Sequence, residues 1–293
     1  MWSEEEMREI EPEPPARRTG SRSYAGGLRA EVSRRNAGRV RERVDELTRG
    51  ASPSVIYAPG EAVHGNFIGA SYRRILANPA WAARLEKAHT AKRQARPSGV
   101  DEEVRVWREL DAATSSDALL MNIFCYPRVF ASGRLASLLG VDRAARPEFG
   151  VRSLAPLAEG HVNTTEIDMR LGDLLVEAKL TEADFQWAPL SLVERCVGFE
   201  EVFDRERLEI TRRGVRSYQL IRGVLAAVAA DARFAVFCDA RRPDLVAAWY
   251  EVIAAVRSFE LQGRLRLVTW QEIAACVPRP LQQFLAEKYG ICN

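Results

Sequence analysis

Residues 165–180 read TEIDMRLGDLLVEAKL. The central Gly172-Asp173 pair favours a turn, and both arms alternate charged with apolar residues, the pattern of a β-hairpin. With a two-residue turn, Leu171 pairs with Leu174 and every step outward preserves the sum of the residue numbers. Asp168 then falls opposite Glu177, and Glu166 opposite Lys179. Strand side chains alternate between faces, so these four share one face at about 5 Å cross-strand spacing. Ile167, Met169, Val176 and Ala178 take the other face, which suits a core.

Two carboxylates placed directly opposite one another repel. Lys179 and Arg170 offset part of that repulsion, and a divalent cation offsets it fully. Adjacent hard oxygen ligands suit Mg²⁺, with waters and a substrate phosphate completing its shell. Such an ion lowers the pKa of a bound water and stabilises charge on a phosphoryl oxygen. Lys179, two residues beyond Glu177 on the same face, is placed to orient that water or to stabilise the phosphorane. The competing reading is a solvent-exposed hairpin face laced by ion pairs, which would more naturally set opposite charges opposite each other, as Glu166–Lys179 does and Asp168–Glu177 does not. The lysine itself argues against it. The chain has only Lys87, Lys92, Lys179 and Lys288 and otherwise uses arginine for positive charge, so a guanidinium would not serve at position 179.

Composition sets the class. The chain has 293 residues, is 47% hydrophobic and carries a formal net charge of +2, which suits a globular protein and says little about a partner. Charge distribution says more: Arg17–Arg43 is basic, and Arg212, Arg213, Arg216 and Arg222 form a later cluster able to meet phosphates or to face water. No apolar run reaches the roughly 20 residues of a membrane span, and the acidic, proline-containing start has no signal-peptide core; the expected location is cytoplasmic. Cys125, Cys196, Cys238, Cys276 and Cys292 are scattered without a CxxC pair, and the histidines are His64, His89 and His161, so a zinc site is not expected. GxSxG and GxxxxGK[ST] motifs are absent, which argues against an α/β-hydrolase or a P-loop NTPase.

Along the chain, residues 1–26 lack periodicity and read as disordered. Residues 27–103 read as a helical extension, with helices over Leu28–Leu47 and Ser71–Arg93, the second broken near Asn78–Pro79. From residue 104 the pattern is helical and then α/β. A helix starts at Ser115–Asp117, with Asp117 a candidate N-cap. A strand is expected over Gly150–Leu157, then the hairpin, helical spacing over 190–209, a helix over Ser217–Ala230, an apolar strand Arg233–Cys238, a helix Asp244–Ser258, a strand Leu265–Thr269 and two closing helices.

The Asp168 and Glu177-Ala178-Lys179 constellation, with SSDALLMNIF, TEIDMRLG, VEAKLTEADF and SYQLIRGVLAA around it, resembles the PD-(D/E)XK nuclease superfamily over roughly residues 104–270. Ile167 stands where the family motif has proline. The resemblance implies an α/β fold with a restriction-endonuclease-like αβββαβ core, a mixed sheet flanked by helices, here carrying a helical N-terminal extension. It implies Asp168, Glu177 and the Ala178 carbonyl as ligands of Mg²⁺, with Mn²⁺ as a substitute, and Lys179 acting on the water. Glu166 would hold a second metal or Lys179, and Gln219 sits where the superfamily often adds a polar active-site residue. The implied activity is phosphodiester hydrolysis, most readily of DNA and endonucleolytic, in a chain that pairs into a homodimer if it cuts both strands. The alternative is a nucleic-acid-binding or interaction protein that keeps the fold with an inactive site. His161, Phe185 and Trp187 are further candidates for touching phosphate or bases, with solvation or core packing as their ordinary roles.

Overall fold

The computed structural model describes residues 23–40, 45–48, 54–89, 106–152, 155–156, 162–163 and 166–292. Five strands form the central sheet: β1 (Pro147–Arg152), β2 (Glu166–Leu171), β3 (Leu174–Ala178), β4 (Arg233–Cys238) and β5 (Leu265–Thr269), in spatial order β5-β4-β3-β2-β1. The first three are antiparallel neighbours, whereas β4 runs parallel to both β3 and β5. The hairpin has the expected register, with Leu171 opposite Leu174 and Met169 opposite Val176. Gly172 adopts a positive φ of 63° in the turn, a conformation that costs a residue without a Cβ nothing. Arg233 secures the turn from β4 by donating to both carboxylate oxygens of Asp173.

Helices cover both faces of the sheet. On one side α5 (Tyr218–Ala229) and α6 (Pro243–Ala255) pack with Leu175, Phe234 and Val236. On the other, α1 (Tyr24–Ala37), α3 (Ser116–Phe124), α4 (Arg134–Leu139), α7 (Trp270–Cys276) and α8 (Arg279–Tyr289) pack with Met169, Val176, Ala178 and Phe237. Covered on both faces and paired on both edges, β3 is buried at all five positions. Glu177 and Lys179 are only 2% and 5% exposed, so the exposed ion-paired face considered from sequence does not form.

The front half joins this core. Leu28 and Val32 of α1 belong to the same apolar cluster as Met169, and α2 (Gly69–Leu76) lies against α3. The helix expected through Leu47 ends at Ala37, where Gly38 caps it and the buried Asn36 amide donates to Val32 O and Lys288 O. Glu46–Leu47 then pairs as a short strand with Val55–Ile56. Asn78 and Pro79 do break the second helix. Two further departures concern strands. The segment expected over 150–157 divides into β1 and a two-residue strand at Ala155–Pro156. The 190–209 stretch forms only short turns of helix, beside a small sheet of Trp187–Ala188, Ile210–Thr211 and Gly214–Arg216.

Candidate active site

The hairpin ladder ends at Met169–Val176, one step before Asp168 would face Glu177. Beyond that pair β2 stays on β1, with Val151 opposite Ile167, while β3 stays on β4, with Val236 opposite Glu177. Asp168 lies in the fork. Ala178 N–H, which has lost its strand partner, donates to Asp168 Oδ2 at 2.7 Å instead. The side-chain alternation expected from sequence breaks here: Ile167 joins the α5-side core and Met169 the α3-side core. The four polar side chains therefore do not share one flat face. They line the fork from two directions.

From the α5 side, Glu177 Oε1 accepts from Lys179 Nζ at 2.6 Å and from Gln219 Nε2 at 2.8 Å. Arg222 lies 3.8 Å from Glu177 Oε2 and donates to Glu166 O at 3.1 Å. From the α3 side, Asp117 Oδ2 and Glu166 Oε1 are bridged twice. Arg84 donates to both, at 3.0 and 2.8 Å, and Lys87 Nζ donates to both, at 2.7 and 2.8 Å. Asp117 is thus not the helix cap; Ser115 Oγ accepts from Ala118 N and does that work. Glu166 contacts Arg84 and Lys87 rather than Lys179.

Electrostatics separates the two sides. Burial raises the Glu166 carboxyl, yet hydrogen bonds from Arg84 and Lys87 and their charges bring it down to about 2. Burial acts to lower the Lys179 ammonium, but the charges of Glu177, Glu182 and Asp168 more than offset that and hold it protonated. Asp168 is the exception. Burial first, then the charges of Glu177 and Asp117, raise its carboxyl well above the ordinary carboxylate range. Among the described residues no cation lies within ion-pair distance of it, and Oδ1 makes no hydrogen bond.

That condition fits a divalent ion. Asp168 offers a hard oxygen whose charge the protein has not neutralised, next to Glu177 and the Ala178 backbone. No group of three or more acids, histidines or cysteines among the described residues forms a cage by itself. A site of this kind would leave part of the coordination shell to water and substrate, as Mg²⁺ sites commonly do.

The sequence missed Arg84, Lys87 and the position of Arg222. Lysine scarcity carried a signal for Lys87 as much as for Lys179. The arginine cluster does not act as one: Arg222 is buried in the fork, Arg216 pairs with Glu209, and Arg213 lies over the Trp187 ring at 5.1 Å. Phe185 is buried in the α5-side core, 5.9 Å from Lys179 Nζ. His161 lies outside the described residues. All five cysteines are free thiols, and no helix among the described residues is long and apolar enough to cross a membrane.

No curated protein and no solved structure matches the chain. The family model described as "Restriction Endonuclease associating with ARP" matches residues 36–290, a span that takes in the fork and the front-half residues reaching into it. The chain belongs to this restriction-endonuclease-like family.

Proposed function

We propose that the protein is a Mg²⁺-dependent nuclease that hydrolyses phosphodiester bonds of DNA, acting within the strand. The observation that carries this reading is Asp168: an acid held beside Glu177 and Asp117 in a fork rich in cations, yet paired with none of them among the described residues. The chain order α3, β1, β2, β3, α5, β4 supports a restriction-endonuclease-like αβββαβ core around it.

In this reading Asp168, Glu177 and the Ala178 carbonyl hold the ion, which supplies Lewis-acid polarisation of the phosphoryl oxygens when bound. Mn²⁺ would substitute for it. Lys179, kept as an ammonium, donates to a non-bridging phosphoryl oxygen or to the incoming water, and does not serve as the base. Gln219 holds Glu177 from the neighbouring helix and fixes which carboxylate oxygen stays free. Lys87 and Arg84 hold Glu166 and Asp117 and present positive charge toward an approaching phosphate. Cutting both strands of a duplex would bring in a second copy of the chain. The family description's association with ARP extends to this chain as part of the same proposal.

A second reading, a nucleic-acid-binding protein with a silent site, draws on one contact: Glu177 Oε1 is already taken by Lys179 and Gln219. Calorimetric titration with Mg²⁺ and Mn²⁺ separates the two, run beside cleavage assays on supercoiled plasmid, linear duplex and single strands. The nuclease reading expects divalent-ion binding and metal-dependent cutting, both lost in Asp168→Asn. Absence of ion binding in the wild type sinks it.

A further inference from the structure

Beside the fork a groove runs along the edge strand β1. One part, of about 490 Å³, lies between the α3 C-terminal turn and the loop before β1; an adjoining part, of about 780 Å³, follows β1 toward Val151. Arg74, Trp81, Arg146 and Pro147 line both parts. Each falls within the roughly 300–1,000 Å³ typical of pockets that enclose a small organic molecule.

Its walls have a definite chemistry. They carry Arg74, Arg128, Arg143 and Arg146 against a single carboxylate, Glu148. Arg74 is committed to Cys125 O and Tyr126 O and lies over the Trp81 ring at 5.4 Å, and Arg143 donates to Ala131 O. Arg128 and Arg146 are exposed, and among the described residues their guanidinium groups have neither an ion pair nor a hydrogen bond. Between these cations stand the partly exposed rings of Tyr126 and Phe149. A cationic track interleaved with aromatic rings suits an unpaired strand, whose phosphates and open base faces both need partners; a duplex keeps its bases stacked inside.

The groove also leads to the fork. Trp81 and Phe149 pack edge to face at 6.1 Å, and three residues beyond Trp81 the chain presents Arg84 to Asp117 and Glu166. Arg84 crosses β1 at Gly150, where a side chain would collide with its guanidinium. Gly150 lies between Phe149 and Val151, which pair with Met169 and Ile167 on either side of Asp168. We infer that this groove binds single-stranded DNA and delivers it to the fork, an inference that rests on the nuclease reading for the purpose of delivery but not for the binding.

Fluorescence anisotropy tests it in EDTA, where no cutting occurs, with a labelled oligo-dT of about 12 nucleotides and a blunt duplex of equal length. Arg128→Glu/Arg146→Glu is the variant; both positions are exposed and without side-chain partners, and a thermal melt checks the fold. Wild type is expected to prefer oligo-dT, and the double variant to lose about tenfold or more in affinity. Its salt slope should flatten by about 1.4, two phosphate contacts at about 0.7 each, and Arg128→Lys/Arg146→Lys should restore most of the binding. Should the reversal variant unfold, Arg128→Gln/Arg146→Gln is expected to show the same loss in weaker form. Duplex bound as tightly as oligo-dT, no binding of either, or unchanged oligo-dT affinity in the variants overturns the groove. These outcomes are independent of cleavage: a protein that binds oligo-dT here yet never cuts keeps the groove and loses the nuclease. One that cuts through Asp168 with Arg128 and Arg146 reversed at no cost to oligo-dT binding does the opposite.

Discussion

Two pairs of acids meet at the fork, and the protein treats them differently. Asp117 and Glu166 are drawn together by Arg84 and Lys87, two cations for two carboxylates, each cation touching both. Among the described residues the cations near Asp168 and Glu177 are Lys179 and, at 3.8 Å, Arg222, and both reach only Glu177. The first pair is neutralised from within, and its Glu166 carboxyl is lowered to about 2. In the second, both cations go to Glu177 and none reaches Asp168 among the described residues, and the Asp168 carboxyl is raised. Unmatched buried charge costs stability, so a fold that keeps it leaves room for a ligand that supplies the missing positive charge.

Removing the unmatched acid should break this contrast most visibly. Asp168→Ala is expected to reduce metal-dependent cleavage by at least about 10²–10³-fold, the scale of losing one electrostatic element of a transition-state site. The same change in Glu166→Gln should cost less, because its charge is already spent on Arg84 and Lys87. Equal losses in single-turnover cleavage assays would erase the distinction between the pairs.

The next largest effect falls on stability. Lys179 and Glu177 form a pair whose side chains are only 6% and 2% exposed, and deleting one partner strands the other. Lys179→Ala should destabilise the fold by about 3–5 kcal/mol in urea unfolding. Lys179→Met with Glu177→Gln should recover most of that loss while remaining inactive. If Lys179→Ala melts like the wild type, the pair is not holding β3 as its geometry indicates.

How much of this the sequence carried follows from the range of each interaction. The hairpin was legible because its determinants are local: a Gly172-Asp173 turn and alternation over a few residues fix the register. The helix start at Ser115 was legible for the same reason, whereas the Thr269–Glu272 capping box was not read. The fork was not legible. It arises because β2 and β3 follow different outer neighbours, β1 and β4, which no local pattern encodes. Arg84 and Lys87 reach Glu166 across about eighty residues of chain, and their spacing relative to the hairpin holds no geometric information. The short strands around residues 187–216 pair over two or three residues each, too few for an alternation to register.

A smaller effect has the opposite sign to most active-site substitutions. The Asp168 carboxyl is raised in the folded protein, so the folded state binds this proton more tightly than the unfolded one. Stability from this group is therefore present at low pH and lost as pH rises through the unfolded carboxylate value and on toward the raised one. Asp168→Asn should remove that loss and raise stability at neutral pH by about 1 kcal/mol, in exchange for activity. Mg²⁺ should raise the melting temperature of the wild type and leave that of Asp168→Asn unchanged, since only a ligand that binds the folded state stabilises it.

Glu166 supplies the mirror image and the smallest effect. Its folded value of about 2 lies below the ordinary 4.5, so its contribution is present above the unfolded value and lost as pH falls from about 4.5 through 2. The side chain is 37% exposed, and solvent screening limits the contribution to about 1 kcal/mol or less. Urea unfolding of wild type and Glu166→Gln across that window should show a gap at neutral pH that closes on acidification and narrows in high salt. Lys87→Met should narrow the same gap at neutral pH without closing it, because Glu166 then keeps only Arg84. A gap that is indifferent to both pH and Lys87 would mean that Glu166 acts through packing, and the two acid pairs would then differ in shape rather than in charge.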